Sequence, residues 1–124
     1  MKISNLVLLA FAKALAHADC FNSGPDVEKG VVDFAVPTVC SIVNGHFVKG
    51  EWRRQCVTDK NNVRWDFQLK YKGGKEQDTI DGIECANGFM KELKCKHGGK
   101  TGYKNWEYTA DPNNGNCIGI VVKN

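Results

Sequence analysis

The 124-residue sequence has few of the features that would mark a common enzyme or a membrane protein. Serine is scarce: Ser4, Ser23 and Ser41 are all there are, and none stands in a G-x-S-x-G elbow, so serine hydrolysis has no nucleophile in the expected setting. No H-E-x-x-H, no acidic calcium loop and no C-x-x-C pair occurs, so no metal and no cofactor is expected. No Asn-x-Ser or Asn-x-Thr triplet offers an N-glycan acceptor. Excess charge is also missing: the formal net charge is +3, and only +1 over residues 19–124, too balanced for a strong nucleic-acid footprint. No apolar run follows residue 15, and the first is too short to span a bilayer, so no membrane anchor is expected.

What is present begins with a leader. Lys2 is a basic start, Leu6 to Leu15 is mostly apolar with Lys13 interrupting it, and Ala16-His17-Ala18 fits the small-x-small rule for cleavage. Residues 1–18 thus read as a signal peptide and 19–124 as a single secreted domain. Of 17 basic side chains the leader removes Lys2 and Lys13 and takes no acid, leaving 15 against 14, a net of +1. All six cysteines (Cys20, Cys40, Cys56, Cys85, Cys95 and Cys117) fall in the mature part, and the closest pair is ten residues apart. That spacing favours three disulfides over zinc. Six cysteines allow 15 pairings, and spacing alone does not choose among them.

Period-two and helical patterns divide the mature chain. Val27, Val31, Phe34 and Ile42 suggest a first helix, which Pro37 must kink or delay, ended by Asn44-Gly45. Glu51 to Val57 alternates, with Trp52, Arg54 and Cys56 on one face. Val63 to Tyr71 is the clearest strand, with Val63, Trp65, Phe67, Leu69 and Tyr71 on its apolar side. Asp59 to Asn62 reads as the hairpin loop between them. Asp78 is expected to cap a second helix with Ile83, Ala86, Met90 and Leu93 on its buried stripe, ended by Gly98-Gly99. Tyr103 to Thr109 and Ile118 to Val122 read as two further strands, with Asp111 to Gly115 as the turn between them. The expectation is an α+β fold, a compact antiparallel sheet of about four strands with two helices, stapled by disulfides.

The order of these features resembles a known family. Cys20-Phe21, "NGHFVKG", "VRWDFQL", "IECANGFMKELKCKHGG" and "WEYTADPNNGNC" follow one another as in the fungal Y-three-like glycan-binding domain, a group of small secreted cysteine-rich proteins. The resemblance spans Cys20 to Cys117. It implies a disulfide-fixed sandwich, an extracellular life and carbohydrate as ligand, with an effector- or lectin-like role toward a host or competitor. Pro37 within the first helix departs from that pattern, and no sugar-contacting residue is carried over.

Sugar binding needs an aromatic face and polar edges. Trp65, Trp106 and Tyr108 lie on apolar strand faces and are expected in the core. Trp52, Tyr103, Asn113 and Asn114 remain as candidate ligand-binding residues, Tyr103 being expected opposite to Trp106 and Tyr108. Glycans or host surface proteins are the expected partners, and no enzymatic activity is expected. Two other classes stay open. A small ribonuclease would use His46 and His97 as acid and base with Glu51, Arg53 and Glu107 nearby. A toxin-like effector would act on a protein or membrane target.

Overall fold

A computed structural model describes residues 19–117 and 120–121. The leader reading, residues 1–18, lies outside them. The chain is α+β: two α-helices, a six-stranded mainly antiparallel sheet and a separate two-stranded ribbon among the described residues. In chain order the elements are β1 (Asp19–Cys20), a 3₁₀ turn (Asp33–Ala35), α1 (Val36–Val43), β2 (Gly45–Val48) and β3 (Trp52–Thr58). Then come β4 (Arg64–Tyr71), β5 (Gln77–Ile80), α2 (Gly82–Glu92), β6 (Gly99–Tyr103), β7 (Trp106–Asn113) and β8 (Ile120–Val121). The large sheet runs β1-β6-β7-β4-β3-β8, with β8 parallel to β3, and β2 pairs with β5.

The alternation along β4 sets the layers. Trp65, Phe67, Leu69 and Tyr71 are all buried, and their neighbours Trp106, Tyr108 and Ala110 on β7 continue the same face. Both helices pack on it. Phe89 of α2 sits edge-on to Phe67 and Tyr108, with ring centroids 5.3 and 5.5 Å apart. The ribbon closes one end, where Phe47 meets Trp106 at 5.0 Å. Three disulfides join distant elements: Cys20–Cys95, Cys40–Cys85 and Cys56–Cys117, with Cα separations of 5.3, 5.9 and 5.7 Å and no cysteine left free.

Several expectations need correction. Of the two outcomes expected at Pro37 the late start holds: the first helix begins at Val36, leaving Val27 and Val31 outside it, and Pro37 occupies the first turn, where a missing N–H leaves no helical bond unmade. Its buried side is Val36, Val39, Cys40 and Val43, while Phe34 and Ile42 are 40% and 45% exposed. Asp81, not Asp78, caps α2, its carboxylate accepting the Glu84 N–H at 2.8 Å; Asp78 belongs to β5. Of the expected stripe, Leu93 is buried and Ala86 and Met90 are partly buried against the core, but the fully buried side of α2 is Cys85, Gly88, Phe89 and Glu92, and Ile83 is 76% exposed. The third expected strand is a hairpin, β6 and β7, folded at Lys104-Asn105 with Lys104 at φ 55°. β7 runs through Asp111 and Pro112 to Asn113, so the expected turn starts only at Asn114-Gly115. β6 has ended at Gly99 opposite Ala110, so Pro112 pairs with β4 alone, an edge position that tolerates proline. Of the last expected strand only Ile120–Val121 is described.

The phase of α2 explains Gly88. Any Cβ there would overlap the ring of Tyr108, which fills the space beneath the helix. Alanine would gain about 1 kcal/mol of helix propensity, but overpacking costs about 1–3 kcal/mol and a fixed, buried ring has nowhere to go. Gly88→Ala is therefore expected to lower stability by about 1–2 kcal/mol in urea unfolding. An unchanged or raised midpoint would show that the helix slides freely over Tyr108.

Candidate functional site

An open groove of about 730 Å³ lies between α2 and the β6–β7 turn. Three features of the fold make it. Asp81 starts the helix so that Ile83, Asn87 and Lys91 point away from the core. The two-residue turn brings Tyr103 and Lys104 up beside that surface. Gly88 lets Tyr108 reach the floor, where its hydroxyl lies 3.5 Å from the Glu84 carbonyl. Burial, with the neighbouring Glu84 adding to it, pushes the Tyr108 hydroxyl well above the usual tyrosine range, so it stays a neutral donor.

Tyr103 is half-buried in the groove, on the same side of the hairpin as Trp106, its cross-strand partner. The turn reverses the chain, so the two residues share a face, contrary to the alternation expected for one continuous strand. The Lys91 ammonium lies 3.9 Å from the Tyr103 ring centroid and that of Lys104 5.5 Å away. Lys94 joins them on the groove wall. Glu84 and Asn87 supply acceptor and amide, while Ile83 and Met90 supply an apolar rim. The groove thus combines an aromatic ring, aliphatic edges, hydroxyl and amide donors, and three cations.

The other candidates lie elsewhere. Trp52 is 52% exposed at the start of β3 and points to the uncovered face of the sheet, with the Arg54 guanidinium 5.2 Å from its ring. Asn113 lies on that same face, but six residues further along β4 by register, about 20 Å away. Its amide is already committed, donating to Asp66 Oδ2 at 2.8 Å and to the Asp111 carbonyl at 3.1 Å. Asn114 is exposed in the turn beyond. Tyr103, Trp52 and the Asn113-Asn114 pair therefore form three separate places.

His46 and His97 are also apart. His46 stands on the β2–β5 ribbon, bonded to Gln77 at 2.9 Å and Thr79 at 3.3 Å. Arg53 and Glu51 gather at that corner for a structural purpose. Arg53 donates to the Asn44 and His46 carbonyls and to Glu51, and covers the Phe47 ring at 3.9 Å. The Val48 N–H, then Arg53, hold the Glu51 carboxyl below its usual range. His97 lies just before β6, its Nδ1 3.3 Å from the Pro25 carbonyl and 3.4 Å from Asp26. His46 thus belongs to the β2–β5 ribbon and His97 to the segment entering β6 of the large sheet, and the two share no hydrogen-bond partner. Among the described residues no group of three His, Cys, Asp or Glu side chains is arranged to hold a metal ion, and no helix is long and apolar enough to cross a membrane.

Ile83, Asn87, Lys91, Lys94 and Lys104 were not legible as site residues. The spacing of Ile83, Ala86, Met90 and Leu93 places Ile83 on the core side, whereas the helix is turned by about one position and presents it outward. The signal that corrects it is Cys85: a disulfide-bonded cysteine belongs on the buried side, which turns Ile83 outward. No protein-family model matches the chain, and no curated protein sequence matches it.

Proposed function

We propose that the chain is a small secreted recognition protein without enzymatic activity that binds a glycan in the groove between α2 and the β6–β7 turn. The observation that carries this reading is the placement of Tyr103. Its ring stands in an open groove whose walls alternate aliphatic and hydrogen-bonding groups. A sugar ring has the matching character, one apolar face and a polar edge of hydroxyls. The three lysines add donors that suit a uronic or sulfated residue. The Y-three-like order of cysteines, glycines and aromatics supports the same ligand class and a fungal, effector- or lectin-like role. Three disulfides with no free cysteine, together with the apolar start of the sequence, support an oxidising, extracellular destination.

A glycan-array screen of oxidised residues 19–124 tests this. Binding should be selective and compete with free sugar. Tyr103→Ala should weaken it about tenfold or more, the loss of about 1.4 kcal/mol or greater, and Asn87→Ala should weaken it measurably. A blank array with folded protein sinks the reading. Binding that survives Tyr103→Ala but not Trp52→Ala would move the site to the open sheet face.

A further inference from the structure

Glu92 is the one fully buried acidic side chain on α2, and the glycan reading makes no use of it. Its Oε1 accepts the Thr101 hydroxyl at 2.8 Å, while Oε2 has no partner among the described residues. Thr101 Oγ1 in turn accepts a bond from the backbone nitrogen of Asp19 at 2.9 Å. That nitrogen follows Ala18, the last residue of the expected leader. A relay of two hydrogen bonds thus joins a buried carboxylate to the atom that leader removal would free.

We propose that cleavage after Ala18 completes the fold: the new α-ammonium of Asp19 docks on Thr101 Oγ1 and becomes the counter-ion of the buried Glu92 carboxylate. The step is a hydrolysis by the secretory leader protease. The Ala18 carbonyl–Asp19 nitrogen bond breaks, water supplies the oxygen of a new Ala18 carboxylate, and its two protons go to the Asp19 nitrogen, giving –NH₃⁺. An amide N–H already holds this position in the uncleaved chain, so no rearrangement is needed, and the two bonds keep the charges within about 6 Å. The inference rests on the leader reading and is independent of the glycan site.

The groups facing Glu92 are Thr101 on β6, Tyr108 on β7, Asp19 on β1 and Lys91 on its own helix. Burial raises the carboxyl from 4.5 to about 7 while the nitrogen remains an amide; the Thr101 bond and then Lys91 oppose this, and the Asp19 carboxylate adds to it. A carboxyl raised in the folded state favours folding in its protonated form. Its contribution is present below about pH 4.5 and is lost as pH rises through about 7. An ammonium in place should pull the carboxyl down and remove most of that loss.

N-terminal sequencing of the secreted protein should find Asp19 first; any other start overturns the proposal. Next, the α-amine of the 19–124 protein is titrated by NMR. It should titrate about 1–3 pH units above the ordinary amine. An amine in its ordinary range overturns the proposal whatever else is seen. Placing one glycine before Asp19 should lower the melting temperature at pH 7 by about 4–8 °C, and much less in a Glu92→Gln background. Equal losses in both backgrounds, or none in either, also overturn it. If Glu92→Gln does not fold, the amine titration decides alone.

Discussion

Exchange of both Cys40 and Cys85 for alanine should lower the unfolding free energy by about 4–5 kcal/mol, enough to threaten a domain of this size at 37 °C. The bridge closes a 45-residue separation, and the chain-entropy relation gives about 4 kcal/mol for a loop of that length. Both sulfurs are buried, Cys40 at 1% and Cys85 at 0% exposure, and they pin α1 to α2 over the aromatic layer. Their loss adds missing packing to missing constraint. Cys20–Cys95 spans a longer separation, 75 residues, for which entropy alone gives about 4.5 kcal/mol. But Cys20 is exposed on a two-residue edge strand, where the native state can relax. The two double variants therefore separate the contributions. Urea unfolding should rank loss of Cys40–Cys85 as the more damaging. The reverse ranking would mean that loop length outweighs packing in this fold.

The parts that were legible in the sequence are those whose patterns are long and local. β4 supplies nine alternating positions counting Val63, and the expected core aromatics Trp65, Trp106 and Tyr108 are all buried. The hairpin joining β3 and β4 followed from its turn residues. What was missed depends on pairing across distance. β2 and β5 each bury a single side chain, Phe47 and Ile80, so neither shows a period. They become strands because they meet each other, from Gly45 opposite Ile80 to Val48 opposite Gln77. β6, "GKTGY", has two glycines and little apolar content; β7 and β1 hold it on either side.

The groove was illegible for a related reason. It needs the phase of α2 and the reversal at Lys104-Asn105 together, and each was misplaced by a small step. An error of one helical position buried Ile83, and reading one strand where there are two turned Tyr103 away from Trp106. The candidate that survives, Tyr103, was chosen as the aromatic least needed by the core, and it is the only one of the four candidates that lies in the groove. Trp52 and Asn113 share the open face but sit at its two ends, because register, which no local pattern reveals, sets their distance.

Asp59→Ala should cost about 3–4 kcal/mol, although Asp59 was expected only as one residue of a polar loop. It is 1% exposed, and its carboxylate organises the corner from within. Oδ1 accepts the Asn61 N–H at 2.8 Å and the Val63 N–H at 3.1 Å, while Oδ2 accepts the Trp65 indole N–H at 2.9 Å. These bonds hold a tight turn in which Asn62 takes φ 62°, and they tie the turn to the largest buried side chain of the sheet. Hydrogen bonds to a charged acceptor contribute about 1.5–3 kcal/mol each. Water can replace part of the two loop bonds, but the indole N–H of Trp65 is buried and would be left unmade. Asn separates the two roles. Its carbonyl can serve the two backbone donors, but its NH₂ would then face the indole N–H, so Asp59→Asn should lose roughly half as much. Urea unfolding followed by tryptophan fluorescence checks both variants. An alanine variant within about 1 kcal/mol of the parent would mean that the carboxylate fills the corner without holding it.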